Sequence, residues 1–227
     1  MVRIQSDILS SILDRYGRSL NHLEFMAYDL NNDAAVSLGK NCGPSLRHLA
    51  LRFEHPHVRD GGIRPDAWFR SADPSTGWNA LIGIGPYKDI GNITGLTTLT
   101  LERAGITPWQ LRQLVKRNPG LRTLKMRTCN GAQPEFLYWL GGLVKDGGED
   151  EEVLGDGDDG VDGEIQAPGA KLEVLWLDNC QQLLPDSNQV LDAQSQTPET
   201  CDRGLEWVKR LRNLKVSFKI PFRKEAS

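Results

Sequence analysis

Glu54, His55 and His57 fall within four residues of one another in the run Glu-His-Pro-His. Imidazole and carboxylate are both zinc ligands, but a closed structural zinc site takes four donors, one more than this run supplies. A second acid-rich run, Asp156-Gly-Asp-Asp-Gly-Val-Asp-Gly-Glu, has the composition of a calcium loop. It lacks the acid at the fifth position, the glycine at the sixth and the glutamate at the twelfth that such a loop uses. Asn92-Ile93-Thr94 matches the glycosylation acceptor; the start MVRIQSDIL, however, has neither the apolar run nor the small-residue cleavage site of a secretory signal. The four cysteines, Cys42, Cys129, Cys180 and Cys201, show no close pairing of the CxxC kind. No Ser/His/Asp or Cys/His set stands in a motif context, and no phosphate-cradling glycine loop follows a strand pattern. The expectation is a protein without metal, cofactor or enzymatic activity.

What these residues are mounted on is clearer. Six segments share one apolar spacing, seen best in Leu46–Leu49–Leu51, Leu96–Leu99–Leu101, Leu121–Leu124–Met126 and Leu172–Leu175–Leu177. It is the spacing of a leucine-rich repeat, in which a short strand and a helical segment bury their apolar face only by stacking on the next unit. The first leucines of the six patterns, Leu20, Leu46, Leu96, Leu121, Leu172 and Leu211, lie 26, 50, 25, 51 and 39 residues apart. Two intervals match one repeat of about 20–29 residues, and the two longest read as a repeat carrying an insertion. The predicted fold class is α/β, a leucine-rich-repeat solenoid with a curved parallel sheet and helices on the convex face.

The whole chain, 1–227, reads as one such domain, with insertions at about 53–77, 145–170 and 185–199. Trp78-Asn79-Ala80-Leu81 could open another unit, but it stands only 18 residues before Leu96, too close to leave room for a helix; it is read as part of the irregular stretch. Ser6–Tyr16 places Ile8, Leu9, Ile12, Leu13 and Tyr16 on one helical face. Thr107-Pro108 is a helix start with Leu111, Leu114 and Val115 as its buried stripe. Pro134–Val144 and Cys201–Leu211 repeat the theme. Cys129 and Cys180, three residues past the last apolar strand position, are predicted to be buried reduced thiols.

Charge is unevenly spread. The net charge is −3, yet Asp146–Glu164 alone holds ten acids and no base, so the remainder has 27 bases against 20 acids, or +7. Few apolar residues and many like charges predict a disordered acidic loop. The +7 remainder has no basic stripe interleaved with aromatics, which argues against nucleic acid. No window reaches the length of a membrane span. A cytoplasmic or nuclear monomer is expected.

Because side chains alternate along a strand, the residues between the leucines must point to the concave surface. Trp176 is the outstanding one. An indole on an open sheet is a binding anchor, with Lys125, Arg127, Asp178, Arg52 and Glu102 supplying polar specificity for a protein partner. The alternative is that Trp176 packs under one of the long insertions.

The units SLRHLALRFE, GLTTLTLERAGI, GLRTLKMRTC and KLEVLWLDNCQQL, with LGKNCGPSL and LVKRNPGL before two of them, resemble the cysteine-containing leucine-rich repeats of F-box-like proteins of the fungal type. The resemblance covers most of Ser6 to Phe218. It implies an array that captures a protein substrate, joined through an F-box to the adaptor of a cullin-type ubiquitin ligase. The Leu-Pro signature that opens an F-box is absent from the stretch before the first strand. Ile4–Leu13 has an apolar spacing only loosely like part of one and leads straight into the first strand. The functional expectation is a non-enzymatic protein-binding module, either the substrate-recognition region of an F-box-like ligase subunit or a regulatory or scaffolding repeat protein; an α/β enzyme ranks below both. Limited proteolysis should cut first within Gly147–Gly163, whose ten-acid surroundings cannot offset the entropy of ordering. Protection there under conditions that cut elsewhere would mean the segment is part of the core.

Overall fold

The computed structural model describes residues 6–27, 30–53, 77–88, 90, 93–142, 167–180 and 215–219, with Leu183, Val208 and Leu211. Helix and strand alternate along them as far as β5: α1 (Ser6–Tyr16), β1 (His22–Ala27), α2 (Asn32–Cys42), β2 (His48–Phe53), α3 (Gly77–Ile82), β3 (Thr98–Glu102), α4 (Pro108–Lys116), β4 (Thr123–Arg127), α5 (Pro134–Leu140) and β5 (Val174–Asp178), followed by β6 (Lys215–Lys219); the helix expected at Cys201–Leu211 lies mostly outside the described residues. The strands form one all-parallel sheet in the order β1-β2-β3-β4-β5-β6. Each strand is the sheet neighbour of the strand that precedes it in sequence, as an α/β chain of repeated strand–helix steps requires.

The register aligns the leucines. Leu23, Leu49, Leu99, Leu124, Leu175 and Val216 are successive partners, as are Phe25, Leu51, Leu101, Met126, Leu177 and Phe218. Leu49, Leu51, Leu99, Leu101, Leu124, Met126, Leu175 and Leu177 are at most 1 % exposed, and they share one apolar cluster with Leu38, Leu81, Leu111, Leu114, Phe136 and Leu137 from the helices. The helices therefore cover the leucine face, and the alternate residues form an open polar face. The sixth pattern, Leu211–Leu214–Val216, predicts Leu214 opposite Leu175, but the register puts Val216 there, two residues further along; the Glu54–His57 run, Asn92, Cys201, nearly all of the acidic segment and the insertion at 185–199 lie outside the described residues.

Two backbone devices recur. The carbonyl before each of β1 to β4 accepts two N–H groups from the next strand: Asn21 from Arg47 and His48, Arg47 from Thr97 and Thr98, Thr97 from Arg122 and Thr123, and Arg122 from Glu173 and Val174, all at 2.8–3.0 Å. After β3, β4 and β5 the chain turns through a left-handed residue, Arg103 (φ 54°), Thr128 (φ 51°) and Asn179 (φ 52°). That conformation costs a non-glycine residue roughly 1–2 kcal/mol. At two of the three it is held by a bond along the sheet, Arg103 N–H to the Arg127 carbonyl and Thr128 N–H to the Asp178 carbonyl.

The helices are set by local chemistry. Thr107 caps α4 and Gln110 returns the bond to Thr107 N–H, a complete capping box with Pro108 in the first turn. Asn31 caps α2 by accepting from Ala34 N–H at 2.8 Å. α5 stops at Leu140, short of the expected Val144, because Gly141-Gly142 follows and Gly142 takes φ +85°. At the end of α4 the buried Asn118 donates to the Ile93 and Leu114 carbonyls and accepts from Leu96 N–H, which satisfies the turn into β3 without water.

Two expectations are corrected. Trp78–Leu81 opens neither a strand nor an irregular loop; it lies in α3, whose Gly77 approaches the Leu30 carbonyl so closely that a Cβ there would stand 2.1 Å from it. Trp78 is completely buried, edge-on to Phe53 at 5.8 Å. On α1 only half of the predicted stripe is covered. Leu9 and Leu13 are buried against α2, where Asp14 also accepts from Ser37 and Asn41, while Ile8, Ile12 and Tyr16 remain exposed. The helix has a neighbour on one flank only among the described residues, so the stripe splits between core and surface. No helix among the described residues is long and apolar enough to cross a membrane.

Leu124 sits at the centre of the sheet with no exposure. Leu124→Ala should destabilise by about 2–5 kcal/mol through the cavity it leaves. A thermal or denaturant midpoint equal to the parent's would contradict that burial.

Candidate functional site

The open face is a grid whose columns are strands about 4.8 Å apart. One row of register partners runs Glu24, Ala50, Thr100, Lys125, Trp176 and Ser217; the next runs Met26, Arg52, Glu102, Arg127, Asp178 and Lys219. A third, at the N-terminal ends, begins with His22 and His48, whose ring centroids are 5.5 Å apart. All six residues singled out from the sequence, Trp176, Lys125, Arg127, Asp178, Arg52 and Glu102, therefore stand on one face in two adjacent rows.

What the sequence did not reveal is how they are connected. Arg52 bridges Glu24 at 2.6 Å and Glu102 at 3.7 Å; Arg127 bridges Glu102 at 3.6 Å and Asp178 at 3.3 Å. Charge alternates from strand to strand, and each arginine is held between two acids. Individually, exposed pairs of this kind contribute about 0.2–1 kcal/mol, so the ladder is a weak source of stability. It still fixes long side chains in place, and around Arg127 the carboxylates are the more sheltered partners: Glu102 and Asp178 are 20 % and 19 % exposed, against 53 % for Arg127.

Lys125 stands apart from the ladder. Among the described residues it makes no ion pair, and its Nζ lies over the Trp176 ring, 5.9 Å from the centroid. The ring quadrupole attracts the ammonium, so the two side chains form one unit, partly exposed, in the middle of the face. The signal for the ladder was present in the sequence, since the residue after the last apolar strand position reads Arg52, Glu102, Arg127, Asp178 and Lys219 in turn. Recognising it needed a register that joins residues about fifty positions apart.

Beneath the face, Cys129 and Cys180 follow β4 and β5 on the core side, and both are buried, as is Cys42. The Cys180 thiol points at the Met126 and Asp178 carbonyls. Burial pushes the Cys129 thiol up to about 12, with Cys180 adding to the effect, and pushes Cys42 up to about 11; burial raises Cys180 as well. Such thiols stay protonated at neutral pH and are poor nucleophiles. Among the described residues no three His, Cys, Asp or Glu side chains gather closely enough to hold a metal ion.

No protein-family model matches the chain, and searches of curated proteins and of solved structures returned no match either.

The thiols give a pH test. A thiol whose ionisation is suppressed in the folded state favours folding below its unfolded pKa, and that contribution is lost as pH rises through the folded value. Stability should therefore fall between pH 9 and about 12 for Cys129. Cys129→Ala should flatten that part of the stability profile measured by denaturant titration. An equally steep decline in the variant would place the cause elsewhere.

Proposed function

We propose that the chain is a non-enzymatic protein-binding module, a leucine-rich-repeat solenoid whose open sheet face is the concave, partner-binding side. The observation that carries this reading is Trp176. Its indole, paired with Lys125, stands partly exposed on the polar face while its sequence neighbours Leu175 and Leu177 are buried. Tryptophan joins a large apolar face to a polar edge and is enriched among binding hot spots. Support for the repeat comes from the in-register leucines, the shared carbonyl before four strands and the left-handed residue after three.

Within this function the sequence resemblance points to substrate recognition for an F-box-like ubiquitin-ligase subunit. A regulatory or scaffolding role is the second reading. It is favoured by α1, which packs on α2 and passes through the turn Gly17–Ser19 directly into β1, as a repeat helix would. Pull-down with the ligase adaptor separates the two.

Trp176→Ala should weaken capture of the partner by about 2 kcal/mol or more and leave the melting temperature unchanged. Proximity labelling read by mass spectrometry, parent against variant, supplies the measurement. A variant that melts lower yet labels the same proteins would make Trp176 a packing residue.

A further inference from the structure

Four cations lie in the two central rows of the open face, Arg52, Lys125, Arg127 and, opposite Asp178, Lys219, and the three whose side chains are described are not equivalent. Arg52 is shared by Glu24 and Glu102, and Arg127 by Glu102 and Asp178, so two positive charges face three negative ones. An approaching anion meets no net attraction from that ladder. It would also have to separate an arginine from carboxylates that are four-fifths buried, leaving a sheltered charge unpaired, which is costly. Among the described residues Lys125 has no acid to give up. Its described partner is the π face of Trp176, and a cation–π contact leaves ammonium hydrogens available to a carboxylate.

Resting on the binding face assigned above, we propose that the partner segment docks through one Asp or Glu side chain on Lys125 and a large apolar side chain beside it on Trp176. The same face discriminates against polyacidic segments. A second carboxylate placed along β4 from Lys125 reaches Arg127, which is already held between Glu102 and Asp178, so it meets two carboxylates for one cation; like charges so placed repel. Polyphosphates fail for the same reason, because binding them takes several free cations. The register partners of Trp176 are Lys125 on β4 and Ser217 on β6, so the charge lies on one side of the indole and a residue without charge on the other. The specificity is therefore for a mixed pair, one charge and one apolar group, with Arg52 and Arg127 acting on the partner only through the ladder.

A phage-displayed random dodecapeptide library selected on the full chain tests this, with Trp176→Ala, Lys125→Ala and Lys125→Glu proteins as comparators whose folding is checked by circular dichroism. The enriched peptides should carry a single Asp or Glu beside Leu, Ile, Phe or Trp. They should lose roughly tenfold in affinity or more on Trp176→Ala and on Lys125→Ala, the scale of a hot-spot contact. Selection on Lys125→Glu should replace the acid by Lys or Arg. Enrichment of peptides with three or more acids, or of peptides that need Trp176 but ignore Lys125→Ala, would overturn the specificity and leave the binding face standing. If no peptide is enriched, or the enriched ones ignore Trp176→Ala, the binding face falls and the specificity with it.

Discussion

A strand of the form LxxLxL presents two or three apolar side chains on one side of a pleated chain, and no single strand can remove that side from water. The face is buried only when a helix lies over it and a like strand lies alongside. Everything else in this structure follows from meeting that condition repeatedly. Leu49, Leu99, Leu124 and Leu175 must align, since a slip of one residue would turn a whole strand's apolar set outward. Alignment in turn places the carbonyls of Asn21, Arg47, Thr97 and Arg122 where each takes two N–H groups from the next strand. It also brings Arg103 and Thr128 into turns whose strain a neighbouring carbonyl offsets.

The open face is a consequence of the same alignment. Residues that contribute nothing to the core are carried into rows, and the row after the last apolar position becomes an alternating series of arginine and acid. Cross-strand pairs of opposite charge are favourable and like charges directly opposite are not. Arg52, Glu102, Arg127 and Asp178 thus tolerate adjacency that four like charges would not. Both sides of Arg127 are occupied by carboxylates, an arrangement that its place in the sequence alone does not announce.

How much was legible depends on the range of the interaction. The strand pattern shows in the sequence because its period of two is local, and so does the start of α4, where Thr107, Pro108 and Gln110 supply cap, first turn and capping box within four residues. α3 was hidden: six residues are too few to display a helical period, and Gly77 is there for a close approach to Leu30 that no local rule announces. The α1 stripe was legible as a stripe, but which half would be covered depends on α2 lying on one side of it. The site residues came out on the correct face because alternation is local. Their partners did not, since β2 and β3, and β4 and β5, are joined by long stretches of chain.

Alternation also separates the two tasks of the strand, so that face residues can vary with little cost to the core. The ladder adds something that stability measurements would understate. Four ion pairs hold Arg52, Glu102, Arg127 and Asp178 in place around Lys125 and Trp176, and Lys125 is itself drawn onto the indole. Ordering a long side chain on binding costs about 0.5–1.5 kcal/mol each. On the proposed binding face, where the side chains surrounding the indole are ordered beforehand, that cost would be met in folding, and more of the contact energy would remain for a partner. A ladder that contributes little to the fold can in this way contribute to affinity without touching the ligand.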